Sequence, residues 1–542
     1  MIKLFKMKNI LKLLFASTLI FTSCKKNIDR LPINNVTVEA YYKTTADVQI
    51  ALNGCYAGLR PTLVDEWKMT DLRSDNSIMG SAGSKSVPNR ELSDLDLLIP
   101  STSLASIFSF WSTNYSNIRN INTILDALAL NYDEAAGTLK VGTTTVTITD
   151  AEYKELAAQA TFLRAYHYFN LVRLYGGVFL IHKPFKGAEA LAAVNINRSS
   201  VEDIYKLIIA DLQYAANNGS SLNYAAFAAA NAGNNLGKVN AWTAKTLLAK
   251  VYLTLNRKSD AIPLLTDVMT NSGYGLLTAG LTPYADIFSV SNEMNKEIMF
   301  AVRYKAGGIG LGSPWPNSFA PELSGTAVVN GDGNGWNNGA YEMENQYSIA
   351  DTRKAVNIAV WPTPTTAVTS TSRRIYPKKH ITQVTLVNDG ENDWVIMRYA
   401  DVLLMLAEAQ GNTVASLALI NQTRARAGLG ATPLTALTVP TDQRFADSLS
   451  KERKLEFAFE NHRWYDMIRY KTTMPTISED AVARLKSHFA FMYTNHYGKY
   501  PSPRPTLAEI QAYVNTDKLL LPIPQREIDN NTHLVIPQNP GY

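Results

Sequence analysis

Three glutamates, Glu452, Glu456 and Glu460, recur at four-residue steps, a spacing that aligns side chains on one helical face. Paired carboxylates are the chemistry of glycoside hydrolysis, one acting as acid and the other as base or nucleophile. Arg453, Arg463, Asp466 and Arg469 interleave with them at steps of three or four. Ion pairing along the helix explains the same pattern, and that reading is preferred. The stretch "NGDGNGWNN" at 330–338 places Asn330, Asp332, Asn334 and Gly335 as at the start of a calcium loop. Tyr341 stands where the closing bidentate Glu belongs, so a polar turn is expected and no metal site. The seven histidines are scattered, with no H-E-x-x-H, C-x-x-C, G-x-S-x-G or phosphate-binding glycine loop. His167 falls on an apolar helical face and reads as a core residue. No catalytic residue, metal ligand or cofactor is assigned.

Sugar recognition asks for different residues: flat aromatic faces for the C–H side of a ring, with Asp, Asn and Arg at the rim for its hydroxyls. Irregular stretches supply both. "DLRSDNS" at 71–77 offers Asp71, Arg73, Asp75 and Asn76, with Trp67 just before it. Trp315, Trp336, Tyr341 and Trp361 lie in or beside a Gly-, Asn- and Pro-rich middle region, 305–340, that lacks helical period. These nine are the expected ligand-binding residues. Trp111, Trp242, Trp394 and Trp464 fall in or beside helical pattern and are assigned to the core.

The elements that must carry these loops are helical. Leu156, Ala160, Leu163, His167, Leu171 and Leu174 advance by threes and fours, with Phe162, Tyr166 and Phe169 loading a second face. Gly176-Gly177 stops that helix, and Asn197-Arg198-Ser199-Ser200 offers an N-cap to the next, Val201 to Ala216. "NAWTAKTLLAKVYLTL" from Asn240, followed after a short break by "AIPLLTDVM", has the small and aromatic spacing of a tetratricopeptide unit. Two further pairs follow, Tyr399 to Gln410 with Val414 to Ala427, and Arg444 to Asn461 with Trp464 to Tyr470. The expected fold class is mostly α: about four tetratricopeptide-like helix pairs, mainly within 152–275 and 394–470. A loop-rich binding portion, mainly 60–110 and 305–390, belongs to the same single domain, 24–542. Such pairs cannot bury their apolar faces alone and must stack.

The chain opens with Lys3, Lys6, Lys8 and Lys12 and a short apolar run, Leu13 to Phe21, too brief to span a bilayer. Thr22 and Ser23 lead into Cys24, the pattern of a lipoprotein signal occupying 1–23 with lipid attachment at Cys24. The formal charge of +5 includes those four lysines, so cleavage leaves +1 and no nucleic-acid footprint. Cys55 is the only other cysteine, so no intramolecular disulfide is available once Cys24 is acylated.

In order, these segments resemble the SusD/RagB-like family of surface nutrient-binding lipoproteins. The resemblance is carried by "AQATFLRAYHYFNLVRLYGGVFL" at 158–180, "GKVNAWTAKTLLAKVYL" at 237–253 and "WVIMRYADVLLMLAEA" at 394–409. It continues in "INQTRARAGL" at 420–429, "ERKLEFAFENHRWYDMIRY" at 452–470, "LLPIPQREIDNN" at 520–531 and "QNPGY" at 538–542. It implies a tetratricopeptide-like scaffold, a lipid anchor in the outer membrane with the protein facing the cell exterior, no enzymatic activity and a SusC-like TonB-dependent transporter as partner. The expected ligand is a glycan. Peptide cargo on the same fold, and a helical glycoside hydrolase, are the competing readings.

Overall fold

The computed structural model describes residues 41–80, 89–186, 196–231, 236–280, 282–361, 373–500, 502, 504–531 and 534–542. Cys24 and the segment before it lie outside the described residues. The longer helices are numbered α1 (Thr45–Ala57), α2 (Leu59–Met69), α3 (Ala105–Ala127), α4 (Asp150–Tyr175), α5 (Val201–Asn218), α6 (Ala241–Thr254), α7 (Lys258–Asn271), α8 (Tyr399–Gln410), α9 (Val414–Arg424), α10 (Asp442–Glu456), α11 (Arg463–Thr473) and α12 (Ala481–Tyr493).

Their starts follow local chemistry. Thr149 and Glu152 form a reciprocal capping box at α4, satisfying two of the N–H groups that a helix start leaves unpaired. Ser200, Asn240, Thr413 and Thr441 each cap a first turn in the same way with a side-chain oxygen. α4 is buried on nearly every side, which explains why apolar residues load more than one of its faces. At its end Gly176 adopts φ 71°, and a Cβ on Gly177 would sit 2.6 Å from the Ser199 carbonyl oxygen. Both glycines are therefore required for the chain to turn back onto α5.

Packing runs in sequence order: α4 on α5, α5 on α6, α6 on α7, α7 on α8, α8 on α9, and α9 on α10, with α10 against α11. This is a stack of four helix pairs, and α3 and α1 extend it beyond α4. The fold class is thus mostly α and tetratricopeptide-like. The long stretch between α7 and α8 leaves the stack and returns without breaking it, because α7 and α8 pack directly.

That excursion carries most of the strand structure. β4 (Ile298–Val302) pairs antiparallel with β8 (Trp394–Arg398), closing its base. β6 (Ile358–Trp361) and β7 (Arg374–Pro377) form a second ribbon in which Trp361 opposes Arg374. β5 (Asn338–Gly339) pairs with β1 (Ser77–Ile78), tying the excursion to the loop after α2. A further ribbon, β2 (Leu130–Asp133) with β3 (Thr138–Val141), follows α3.

The tail is irregular but fastened. Asn539 donates to the carbonyls of Tyr175 and Leu521, while Arg198 bonds Pro537 and Asn539, so the chain end secures the α4 terminus.

One helix boundary differs from expectation. α10 ends at Glu456, and Phe459 and Asn461 take left-handed φ of 61° and 63°. The Glu456 carbonyl accepts from Arg398 and from the Tyr284 hydroxyl, both at 2.6 Å. These distant donors satisfy the buried carbonyl end of the helix that a local reading extends to Asn461.

Candidate functional site

An aromatic column rises through the excursion. Trp394 stacks on His380 with centroids 4.6 Å apart and 4° between planes, and meets Trp315 at 4.6 Å. Trp315 stacks on Phe319 at 5.5 Å, and Phe319 meets the edge of Trp67 at 5.4 Å. Trp67 then stacks on Trp336 at 6.3 Å and 20°. Trp315, Trp67 and Trp394 are buried, whereas Trp336 is partly open to solvent. The indole at the top of the column is therefore supported from below and keeps part of its surface open to solvent.

Polar groups gather beside it. Gly335, next to Trp336, lies against Glu322. Arg374 donates to the Glu322 carbonyl at 2.6 Å and its guanidinium approaches the Glu322 carboxylate at 3.5 Å. Across the ribbon Arg374 faces Trp361. Arg373 pairs with Glu344, and the Tyr341 hydroxyl donates to the Arg373 carbonyl at 3.2 Å. Trp336 and Trp361, both partly buried, are linked through Arg374 and Glu322 into one ledge, whereas Tyr341, with Arg373 and Glu344 near it, packs with Val360 and Ile375 toward the opposite face of the β6–β7 ribbon. Flat apolar faces with charged and carbonyl groups at the margin suit a ring that carries hydroxyls. The four charged residues were not singled out from the sequence. The consecutive arginines 373 and 374, in an otherwise uncharged stretch from Thr363, were the available signal.

The other six expected ligand residues are corrected: Trp67, Asp71, Arg73, Asp75, Asn76 and Trp315 are all buried and turned inward. Asp75 accepts hydrogen bonds from Arg463 at 2.7 and 3.0 Å, Arg484 at 2.7 Å and Lys454 at 2.8 Å. Burial alone would raise its pKa, but these three cations hold the carboxyl well below the usual range. Asp71 accepts from the Asn461 N–H at 3.1 Å, and burial pushes its carboxyl up to about 7. Arg73 lies over the Trp464 ring at 4.1 Å and donates to the Lys518 carbonyl. The Asn76 carbonyl accepts from Ala340 at 2.8 Å. The "DLRSDNS" segment thus joins the ledge to α10, α11 and α12 from beneath. Its polarity reflects buried pairing, which composition alone does not distinguish from solvent-facing polarity.

The glutamate run is buried too. Glu452 and Glu456 bind Arg353 at 2.7 and 3.0 Å, and Glu456 also receives Arg398 at 2.5 Å and Arg426. Glu460 receives Arg398 at 2.9 Å and Lys379 at 2.7 Å. Ion pairing is the right account, but it crosses the fold from distant segments. Despite burial, Arg426, Arg398 and Arg353 hold Glu456 well below its ordinary range, and Arg398 and Lys379 bring Glu460 to about 2. A glycosidase acid needs a raised pKa and access to the glycosidic oxygen. These two carboxylates have neither.

Asp332 accepts from the backbone N–H groups of Gly325, Gly333 and Leu323, which fills its carboxylate with turn contacts. Among the described residues no His, Cys, Asp or Glu side chains gather as a metal site. His167 is fully buried between Asn114 and Asn117, at 2.7 and 2.8 Å, and burial lowers its pKa to about 3. Trp111, Trp242, Trp394 and Trp464 are in the core as expected, and Cys55 is buried and unpaired.

Residues 37–253 match a family model described as starch-binding, associating with outer membrane, and residues 323–542 match the SusD family model. A SusD-like protein P2 of Formosa agariphila is 26% identical over 95% of this chain and 96% of its own length. A SusD-like protein of Bacteroides ovatus is 25% identical over 79% and 80%. The fold is shared with a laminarin binding SusD-like protein, at TM-score 0.67 and 22% identity over 92% of this chain and all of that one. Surface glycan-binding protein A from Bacteroides fluxus aligns at TM-score 0.69 and 21% identity, with the same coverage. A SusD homolog from Bacteroides thetaiotaomicron reaches TM-score 0.71 at 19% identity, over 93% and 98%. Two models of one family together span both halves of the chain, and the helix stack, the ordered tail and the relatives agree with them: the chain belongs to the SusD/RagB-like family.

Proposed function

We propose that this protein is a lipid-anchored glycan-binding protein of the outer membrane that catalyses no reaction and passes oligosaccharide to a SusC-like TonB-dependent transporter. The observation that carries the proposal is the ledge: Trp336 at the partly open end of a rigid aromatic column, linked to Trp361 through Glu322 and Arg374. A pre-formed aromatic face lowers the ordering cost of holding a flexible sugar chain. Structural relatives named for laminarin and for surface glycans support the ligand class. The family description that mentions the outer membrane supports the location. Lipid attachment at Cys24 rests on the leader sequence, and the transporter rests on membership of the family.

Incubating the mature chain, residues 24–542, with panels of oligosaccharides and peptides tests this reading. Calorimetry should show saturable glycan binding, with no new products by chromatography. Peptide binding without glycan binding would overturn the ligand class, and release of shorter sugars would overturn the non-catalytic role.

A further inference from the structure

A second charged feature lies away from the aromatic ledge. A cavity of about 230 Å³ opens where α1 gives way to α2, bounded by Gly237 and Lys238 and by the end of β4. Arg60, Lys238 and Arg303 line it together with Asn53, and no Asp or Glu side chain does. Ala57, Leu59, Ala301 and Val302 make the rest of its wall largely apolar.

The three cations are not equivalent. Arg303 is already matched, with Glu293 at 2.8 Å and Asp393 at 2.5 Å. Arg60 is held by one hydrogen bond: its Nε donates to the Arg303 carbonyl at 2.8 Å, and its guanidinium sits 5.6 Å from the centre of the Tyr304 ring. That grip fixes the plane of the guanidinium and leaves its two terminal nitrogens for another acceptor. Lys238 meets the Gln49 amide oxygen at 3.3 Å. Among the described residues neither Arg60 nor Lys238 pairs with a carboxylate, unlike the buried arginines 353, 398, 426 and 453. The space is also kept open by sequence: a Cβ at Gly237 would come 2.9 Å from Arg303 Cγ.

The geometry points to an oxyanion site at Arg60 and Lys238, one that takes a sulfate, phosphate or carboxylate group, free or carried on a sugar. A fixed guanidinium presents parallel N–H donors to two oxygens of such a group, and the nearby ammonium adds a point charge. Apolar walls reduce the screening that both charges would meet on an open surface.

Titrating inorganic sulfate into the mature chain at low ionic strength, followed by calorimetry, tests the site directly. Saturable binding is expected, about tenfold weaker in Arg60→Gln and in Lys238→Gln, since each variant removes one charge-assisted contact. Lys206→Gln, which alters a surface lysine paired with Glu202 and Asp203, should leave it unchanged. Thermal unfolding confirms that each variant is folded. Absence of saturable sulfate binding, or equal affinity in the wild type and both cavity variants, would overturn the assignment.

A sulfated oligosaccharide compared with its desulfated counterpart separates the sources. A preference for the sulfated form that Lys238→Gln abolishes and Trp336→Ala preserves assigns the anion to a sugar. No such preference, with sulfate still bound, assigns the site to free anions. Because sulfate alone is the first probe, failure here is distinct from failure of the aromatic ledge.

Discussion

At the scale of single residues, the aromatic column separates two kinds of tryptophan that sequence composition treats alike. Trp336→Ala removes an open face while leaving the rings beneath it in place. Glycan affinity should fall by about 1–3 kcal/mol, the scale of stacking a flat ring on an aromatic side chain, with the unfolding midpoint nearly unchanged. Trp315→Ala instead empties a buried position between Phe319 and Trp394. It should cost about 3–5 kcal/mol of stability in denaturant unfolding, as large-to-small core changes do. Asp75→Ala strips the shared partner from the enclosed Arg463 and Lys454 and from the partly exposed Arg484. Loss of about 3–5 kcal/mol is expected, the range for breaking a buried pair on one side.

Titration belongs to this scale as well. Burial raises Glu66 and Asp71 to about 7, Asp96 to about 8 and Asp393 to about 7. A raised carboxyl keeps its proton longer in the folded state, so its contribution is full at acid pH and declines as pH climbs through the folded pKa. Burial also depresses His167, His462 and His496 to about 3 and His380 to about 4, so these groups favour folding increasingly as pH rises toward 6.5. The two sets oppose each other between about pH 4 and 6.5 and leave the carboxyls acting alone above it. The melting temperature should therefore drop between pH 6.5 and 8, and Asp96→Asn should remove part of that drop.

At the scale of elements, the helices were legible because a 3.6-residue period and an adjacent cap are both local. α4, α5, α6, α8 and α11 lie where the pattern puts them, and the cap expected within Asn197–Ser200 is supplied by Ser200. The end of α10 was not legible. It depends on Arg398 and Tyr284, which are far away in sequence and reach Glu456 only after folding. The same distance hid the role of Asp75, whose partners lie on α10, α11 and α12. Arg398 is the element-level test: it joins β8 to Glu297, Glu456 and Glu460. Arg398→Met should destabilise the protein by several kcal/mol, because three enclosed carboxylates lose a partner. Adding Glu460→Gln should recover part of that loss, which double-mutant unfolding would measure.

At the scale of the whole molecule, a continuous helix stack carries an excursion that can vary without interrupting it. α7 meets α8 directly, so the loops between them are free to build a ledge while the stack supplies rigidity. Of the four aromatic residues expected in or beside the Gly- and Asn-rich region, Trp336, Tyr341 and Trp361 stay partly open to solvent. Trp315 went inward because its ring fills the layer between Phe319 and Trp394. The central claim is that the ledge binds glycan through its open rings. Its most direct test is the affinity of the mature chain for the best-bound oligosaccharide, compared with Trp336→Ala and Trp361→Ala. The account predicts a marked loss of affinity in each variant with folding intact; unchanged affinity in both would contradict it.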